Sequence, residues 1–354
     1  MANPAWNFAA GPARLPGAVL ARACDELFSR GADGACQSER PFSSPVFRKL
    51  RDHARQRLAE LLDLPSGYRI LFLAGGAMQQ FSLLPINLAR PEQAVGYVQT
   101  GYWAKRAIND GALHRPVLAL EPPNIGSQLD LSADLAYCHL TTNETADGLA
   151  WPALPDAGPV PLVADCTSDF LTTPLAVDRF GLLYASAQKN IGVAGLCVVI
   201  VRDDLLERSP ENLPALWSYR RLAEADSCVN TPPMLALQLA AMVFDWIAGQ
   251  GGLPAMAEAG RRKSARVYDA IDASAGFYRT PAAPGWRSKV NICCQLPDSV
   301  LTERFIAEAE AAGLHYLRGH PQIGGIRASL YNAMPEAGAA ALADFMVDFQ
   351  RRCG

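Results

Sequence analysis

Two rhythms of apolar and polar positions run along this chain. Short runs rich in Val, Leu and Ala, bounded by Gly, Pro or polar residues, alternate with longer stretches whose apolar residues recur every three or four positions. That alternation predicts an α/β protein with a mainly parallel sheet. Strands are expected at 69–73, 94–98, 116–120, 136–140, 160–164, 182–185 and 196–201. Their lengths and Val/Leu content suit strands buried on both faces. Helices are expected at 18–28, at about 46–62 and at 77–84, the last ending or kinking at Pro85.

From 232 to about 271 the pattern turns helical and Ala-rich, with a break near Gly249-Gln250-Gly251-Gly252. The remainder reads as strand (288–295), helix (301–312), strand (325–330) and a closing helix (336–351). This is the rhythm of an α+β lobe. The expected organisation is an N-terminal segment (1–15), a large domain (16–250) and a small domain (251–354); two lobes suit a chain of 354 residues.

Composition narrows the function classes. A net charge of −3 argues against a nucleic-acid or anionic-membrane partner, since phosphate binding needs a basic field. No apolar stretch reaches the roughly 18 residues of a membrane span. The first residues show no basic region followed by an apolar core, so no secretory signal is read there. Nine cysteines occur without a C-x-x-C pair, and the expectation is reduced cytoplasmic thiols and no structural zinc.

Chemistry concentrates at the predicted strand ends. Lys189 follows a hydrophobic strand and the small residues Ala185-Ser186-Ala187, and precedes Asn190-Ile191-Gly192. An aldehyde cofactor needs such a lysine: small neighbours admit a ring, and burial lowers the amine pKa so that it acts as nucleophile and base. Alone, the residue reads more readily as a surface lysine closing a strand. Asp165 changes the balance. It ends the run Val160 to Ala164, where ligands bind in open α/β sheets, and a carboxylate there pairs with a protonated ring nitrogen. Its plainer reading is a helix cap.

Gly75-Gly76-Ala77, between a strand and a helix, is a phosphate-cradle candidate, although any tight strand-to-helix turn favours Gly-Gly. The spacing of a dinucleotide fingerprint is absent. Trp103 offers an indole for ring stacking, Asn143-Glu144-Thr145 offers polar side chains at a strand end, and Arg327 in a late strand offers a fork for a substrate carboxylate. Taken singly, these read as a core tryptophan, a polar loop and a solvent-facing arginine.

Seven ordered blocks together resemble the phosphoserine aminotransferases, class V enzymes of the pyridoxal-phosphate (PLP) fold type I: Asn7-Phe8-Ala9-Ala10-Gly11-Pro12-Ala13, Gly75-Gly76-Ala77, Gly101-Tyr102-Trp103, Asn143-Glu144-Thr145, Ala187-Gln188-Lys189-Asn190-Ile191-Gly192, Asn230-Thr231-Pro232-Pro233 and Arg327-Ala328-Ser329-Leu330-Tyr331-Asn332-Ala333. The resemblance implies a large domain with a mainly parallel, seven-stranded sheet and a smaller α+β domain. It implies Lys189 as the lysine that bonds the PLP aldehyde, Asp165 on the ring nitrogen, Trp103 stacked on the ring and Thr145 on the ring-hydroxyl side. Gly76, Ala77 and Gln188 would hold the cofactor phosphate. Asn230 and Thr231 would complete the neighbouring site of a homodimer, and Arg327 would bind the substrate α-carboxylate. The small-molecule partners are an amino acid, by default glutamate, and a 2-keto acid.

Two departures bear on substrate. In the family a His-Arg pair follows the first helix and helps bind the phosphate of phosphoserine; counted without gaps it falls on Phe42-Ser43 here. A second His-Arg pair reads His320-Pro321. Each lost charge-assisted contact removes on the order of 1.5–3 kcal/mol. The expectation is therefore an aminotransferase whose acceptor carries no phosphate. The alternative is a genuine phosphoserine aminotransferase with a remodelled phosphate site, Arg40 or Arg318 replacing the lost partners. A PLP-dependent lyase or a non-catalytic protein of this fold is the third reading; a desulfurase lacks its cysteine between Leu317 and Arg327.

Overall fold

The computed structural model describes residues 5–124 and 127–354, so the first four residues of the expected N-terminal segment lie outside the described residues. Seven strands form the central sheet: β1 (Tyr68–Gly75), β2 (Val95–Val98), β3 (Val117–Leu120), β4 (Cys138–Thr141), β5 (Leu162–Asp165), β6 (Leu182–Ser186) and β7 (Gly195–Arg202). Their order across the sheet is β1-β7-β6-β5-β4-β2-β3. The five strands from β6 to β3 are parallel, and β7 runs antiparallel to both β6 and β1. A parallel pair needs a crossover, so the loops that leave β4, β5 and β6 all open on one edge of the sheet. In register, Asp165 lies beside Thr141 of β4 and Tyr184 of β6.

The inner strands are buried on both faces, as their apolar runs predict. Strand β3 differs: it is the edge of the sheet opposite β1, and Leu118 is 40% exposed. An edge strand has one neighbour only, and nothing covers its outer side.

Helix α1 (Gly17–Glu26) precedes α2 (Pro45–Leu61), where the Ser44 side chain accepts from the Phe47 N–H (3.2 Å) and Pro45 opens the first turn. Phe47, Arg51, Ala54 and Leu58 form the buried stripe of α2 at helical spacing. Helix α3 (Ala77–Leu88) runs on through Pro85 instead of ending there. Leu84 and Leu88 are buried in the core, and Asn87 Nδ2 donates to the carbonyls of Leu83 (2.9 Å) and Trp217 (2.7 Å), which holds the last turn. Helix α4 (Tyr102–Gly111) follows β2.

After the sheet, α5 (Met234–Gly249) and α6 (Gly252–Asp272) meet at an 83° bend. Gly251 and Gly252 stand there at φ +97° and +71°, a region glycine enters without strain. No single helix among the described residues is long and apolar enough to cross a membrane. We place the division between large and small domains at this bend. Beyond it, β8 (Asn291–Cys294) pairs antiparallel with β9 (Ile326–Ser329), packed by α7 (Ser299–Ala311) and α8 (Glu336–Cys353). A separate apolar cluster fills this lobe, including Val267, Phe305, Leu342 and Phe349, and Phe8 from the N-terminal segment joins it. Trp6–Asn7 pairs with Leu314–His315, while the Ala13 N–H donates to the Gln188 carbonyl (2.9 Å), so this segment ties the small lobe to the sheet.

Lys263 is the one lysine buried to 2% exposure in α6, and its Nζ donates to the carbonyls of Leu330 (3.0 Å), Tyr331 (2.7 Å) and Met334 (3.1 Å). Those carbonyls lie in the loop after β9. Lys263→Met removes the donor and leaves three acceptors in an apolar setting. The expected loss is about 3 kcal/mol of stability, read as a fall in the urea midpoint.

Candidate functional site

At the open edge of the sheet, β5 and β6 end on the two charged groups that matter most. Asp165 is the last residue of β5, and Lys189 stands three residues past the end of β6. The cavity between them, of roughly 410 Å³, is lined among others by Gly76, Ala77, Trp103, Thr145, Asp165, Gln188, Lys189, His320 and Arg327. All the cofactor residues inferred for one chain therefore meet in one place. Asn230 and Thr231, inferred to serve a neighbouring copy, do not line it.

Lys189 Nζ donates to Thr145 Oγ1 and lies 5.5 Å from the centre of the Trp103 ring. Burial pulls the amine down to about 8 from the ordinary lysine value of 10.5; Asp165 opposes this and Arg327 adds to it. Burial pushes the Asp165 carboxyl up, and the Lys189 charge pulls it back. Its Oδ1 accepts from the Thr167 N–H (2.9 Å). Sequence reasoning missed Thr167, although Asp-x-Thr after a strand is the pattern of a side chain bonding the backbone two residues on.

Helix α4 presents Trp103 through a buried clamp. Glu144 Oε2 accepts from the Trp103 N–H (2.9 Å), and its Oε1 accepts from the Ala104 N–H (2.9 Å) and the Thr100 hydroxyl (3.1 Å). Asp147 Oδ2 accepts from the Tyr102 N–H (3.0 Å). Two carboxylates at a helix N-terminus complement its dipole. Gly101 makes room for them: a Cβ there would stand 2.6 Å from Asp147 Oδ2 and 2.9 Å from Glu144. Burial pushes Glu144 up to about 7 against these bonds. Asn143-Glu144-Thr145 thus works as a unit, with Glu144 fixing the indole and Thr145 meeting the lysine.

The small lobe contributes Arg327 from β9 and His320 from the preceding loop. Arg327 Nη1 donates to the Thr145 carbonyl (3.4 Å), and the His320 ring lies 4.2 Å from that of Tyr102, centre to centre. Asn332, five residues on, donates its N–H to Asn190 Oδ1 (2.9 Å) and its side chain to the Leu171 carbonyl (2.8 Å). The late Arg-Ala-Ser block is therefore locked to the lysine loop. Four residues inferred or considered for substrate lie outside this cavity. Arg40 is bound through its Nε (3.0 Å) and Nη2 (2.9 Å) to the Asp33 carboxylate. Phe42 packs against the large core, Ser43 is exposed, and Arg318 pairs with Glu303 at the surface.

The class-V aminotransferase model matches residues 5–342. This chain belongs to that family. The class-V aminotransferases it is similar to include the phosphoserine aminotransferase of Acidithiobacillus ferrooxidans, 45% identical over 357 residues, with 99% of each chain covered. Among solved structures, the phosphoserine aminotransferase from Bacillus circulans subsp. alkalophilus superimposes with a TM-score of 0.96 at 39% identity, covering 99% of both chains. The phosphoserine aminotransferase of Trichomonas vaginalis, described with PLP bound, gives 0.90 at 35% identity, covering 97% of this chain and 99% of that one.

The cavity of this class-V aminotransferase suits PLP. Its lysine amine is buried and its acid stands across the floor. The first turn of α3 has no side-chain cap, and although the Gln79 N–H donates to the Gly76 carbonyl (3.1 Å), the N–H groups of Ala77 and Met78 before it face a phosphate site where Gly76 and Ala77 line the wall. Trp103 Nε1 is buried without a hydrogen-bond partner among the described residues, a donor left for a bound group.

Proposed function

We propose that this PLP-dependent transaminase is a phosphoserine aminotransferase, moving an amino group between glutamate and the phosphorylated keto acid 3-phosphohydroxypyruvate. The observation that carries this reading is the full-length likeness, at 45% identity, to relatives of that name. It favours the alternative of a remodelled phosphate site over the expectation of an unphosphorylated acceptor. That expectation rested on an ungapped count from Asn7-Phe8 to Phe47. The alignment with the Acidithiobacillus enzyme spans 357 positions, more than the 354 residues of this chain, so it contains gaps and the count is not forced. Arg40, two residues before Phe42, then supplies the cation. Its Asp33 partner is 54% exposed although the Arg40 side chain is only 14% exposed, and an ion pair open to water on its acid side yields to a phosphate dianion.

The cofactor is pyridoxal 5′-phosphate, which when bound supplies an electron sink for charge developing at the amino-acid α-carbon. In this reading the chain's own groups do the rest. Lys189 Nζ would bond the aldehyde and, as the base nearest it, would carry the substrate's α-proton. Asp165 keeps the ring nitrogen protonated. Trp103 covers the ring, and Thr145 holds the ring-hydroxyl side. Gly76, Ala77 and Gln188 hold the phosphate, and Arg327 grips the α-carboxylate as His320 bounds the substrate side.

A homodimer completes the site. Asn230 lines a surface hollow with Leu216, which is 44% exposed beside Trp217 at 51%, and Leu235, four residues past Thr231, is 38% exposed. Exposed apolar surface beside a polar pair meant for a neighbouring cofactor suits a second copy. The bacterial relatives and the absence of a membrane-spanning helix among the described residues support a cytoplasmic location.

With glutamate as donor, kcat/KM for 3-phosphohydroxypyruvate should exceed that for unphosphorylated hydroxypyruvate by roughly a hundredfold or more, the worth of one or two charge-assisted contacts. Equal or reversed values in a steady-state assay of the two acceptors would restore the unphosphorylated reading.

A further inference from the structure

Behind Asp165, deeper along the same face of the sheet, lies a histidine with no evident reason to be there. Side chains two apart on a strand share a face, so His139 and Thr141 of β4 point the same way. His139 is in register with Val163, Thr141 with Asp165, and Asp165 with Tyr184. His139, Asp165 and Tyr184 therefore project from one face of three adjacent strands.

His139 is 0% exposed, with its Nε2 2.9 Å from the Tyr184 hydroxyl and its ring 4.9 Å from that of Tyr97. Its Nδ1 has no hydrogen-bond partner among the described residues. Burying an unpaired ring nitrogen is unfavourable, and a phenylalanine or leucine would fill the space among apolar neighbours without that penalty. What the imidazole alone offers is an N–H aimed at Tyr184.

The proton count gives the chain a direction. Burial pushes His139 down to about 3, so the ring is neutral and carries one proton. Burial pushes the Asp165 carboxyl up, and Lys189, Thr167 and the Tyr184 side chain pull it back. Tyr184 stands beside Asp165 in register, and a carboxylate only accepts, so a bond between them uses the single Tyr184 proton. The His139 proton must then sit on Nε2, which leaves the bare Nδ1 as the unpartnered atom.

We infer that His139 and Tyr184 form a relay behind Asp165, His139 donating to Tyr184 and Tyr184 to the carboxylate, that keeps Asp165 charged against the cofactor's ring nitrogen. The inference rests on the reading of Asp165 as that nitrogen's partner. Both are positioning residues and touch neither substrate nor cofactor. Without the relay the carboxylate binds a proton more strongly and takes a larger share of the one on the ring. The ring nitrogen becomes less positive, and the nitrogen joining Lys189 to the cofactor more basic.

The test uses the holoenzyme carrying His139→Leu, His139→Gln, Tyr184→Phe or, as control, Asp165→Asn. The readouts are the pH midpoint of the visible absorbance change of the lysine-bound cofactor, kcat and KM separately, and the urea midpoint of the cofactor-free protein. His139→Leu and Tyr184→Phe should raise the spectral midpoint and lower kcat by roughly tenfold to a hundredfold with KM within about twofold. His139→Gln, whose amide N–H reaches the place of Nε2, should restore most of both. The urea midpoint of His139→Leu should hold or rise. A His139→Leu enzyme with wild-type spectrum and kcat overturns the relay, as does a urea midpoint that falls in step with kcat while glutamine restores nothing. If Asp165→Asn itself leaves the spectral midpoint unmoved, the assignment of Asp165 fails first and the relay with it.

Discussion

Lys189→Ala should abolish transamination, with kcat falling on the order of 10⁴-fold or more. The variant loses its only route to a covalent link with the cofactor aldehyde and, with it, the base that carries the α-proton. Its soluble yield should change little, because Asp165 still accepts from the Thr167 N–H (2.9 Å) once the lysine charge beside it is gone. The visible band of the bound cofactor should disappear after dialysis against amine-free buffer. The same lysine sets a pH dependence. An amine attacks an aldehyde only when unprotonated, and a pKa of about 8 in place of 10.5 leaves roughly 300-fold more free amine at neutral pH. The rate at which cofactor-free protein captures PLP should rise with pH and level off above about 8, measured by stopped-flow absorbance. Turnover by Lys189→Ala within tenfold of the wild type would refute the assignment of the lysine.

Asp165→Ala should be the next most damaging change, lowering kcat by roughly 10³-fold. A charged carboxylate opposite the ring nitrogen is what makes the ring accept electrons at the moment the α-proton leaves. Alanine removes both the charge and the acceptor for the Thr167 N–H (2.9 Å), so cofactor affinity should also fall. The measurement is kcat at saturating glutamate and PLP, which separates weak loading from slow chemistry. Activity within tenfold of the wild type under those conditions would show that the ring nitrogen is served from elsewhere.

Much of this site was legible in the chain because strand ends are legible. Lys189 and Asp165 each follow a short apolar run, and position after such a run says where the side chain opens. Trp103, Thr145 and His320 were different. Their roles depend on loops crossing from three elements into one cavity, so the residues alone left Trp103 and Thr145 as weak candidates and the resemblance was needed to give all three a role. The clamp of Glu144 and Asp147 on α4 was missed because a buried carboxylate that caps a distant helix looks, in sequence, like any polar loop. His139 was missed for the opposite reason: it sits between Cys138 and Leu140 in a strand and reads as core. Arg40 could not be placed from sequence, because its loop holds no periodic pattern to count against and an ungapped register carries the family's pair to Phe42-Ser43. The edge position of Val117–Leu120 and the passage of α3 through Pro85 depend on what packs against them, which local propensity does not contain.

The way residues 6–13 are engaged bears on how this enzyme can be handled. Phe8 is anchored in the smaller lobe while Ala13 is fastened to the Gln188 carbonyl, so this stretch tethers one lobe to the other. Affinity handles and fluorescent fusions belong on the carboxyl end, where Gly354 is exposed, because bulk added at the opposite terminus pulls on the mouth of the catalytic cleft.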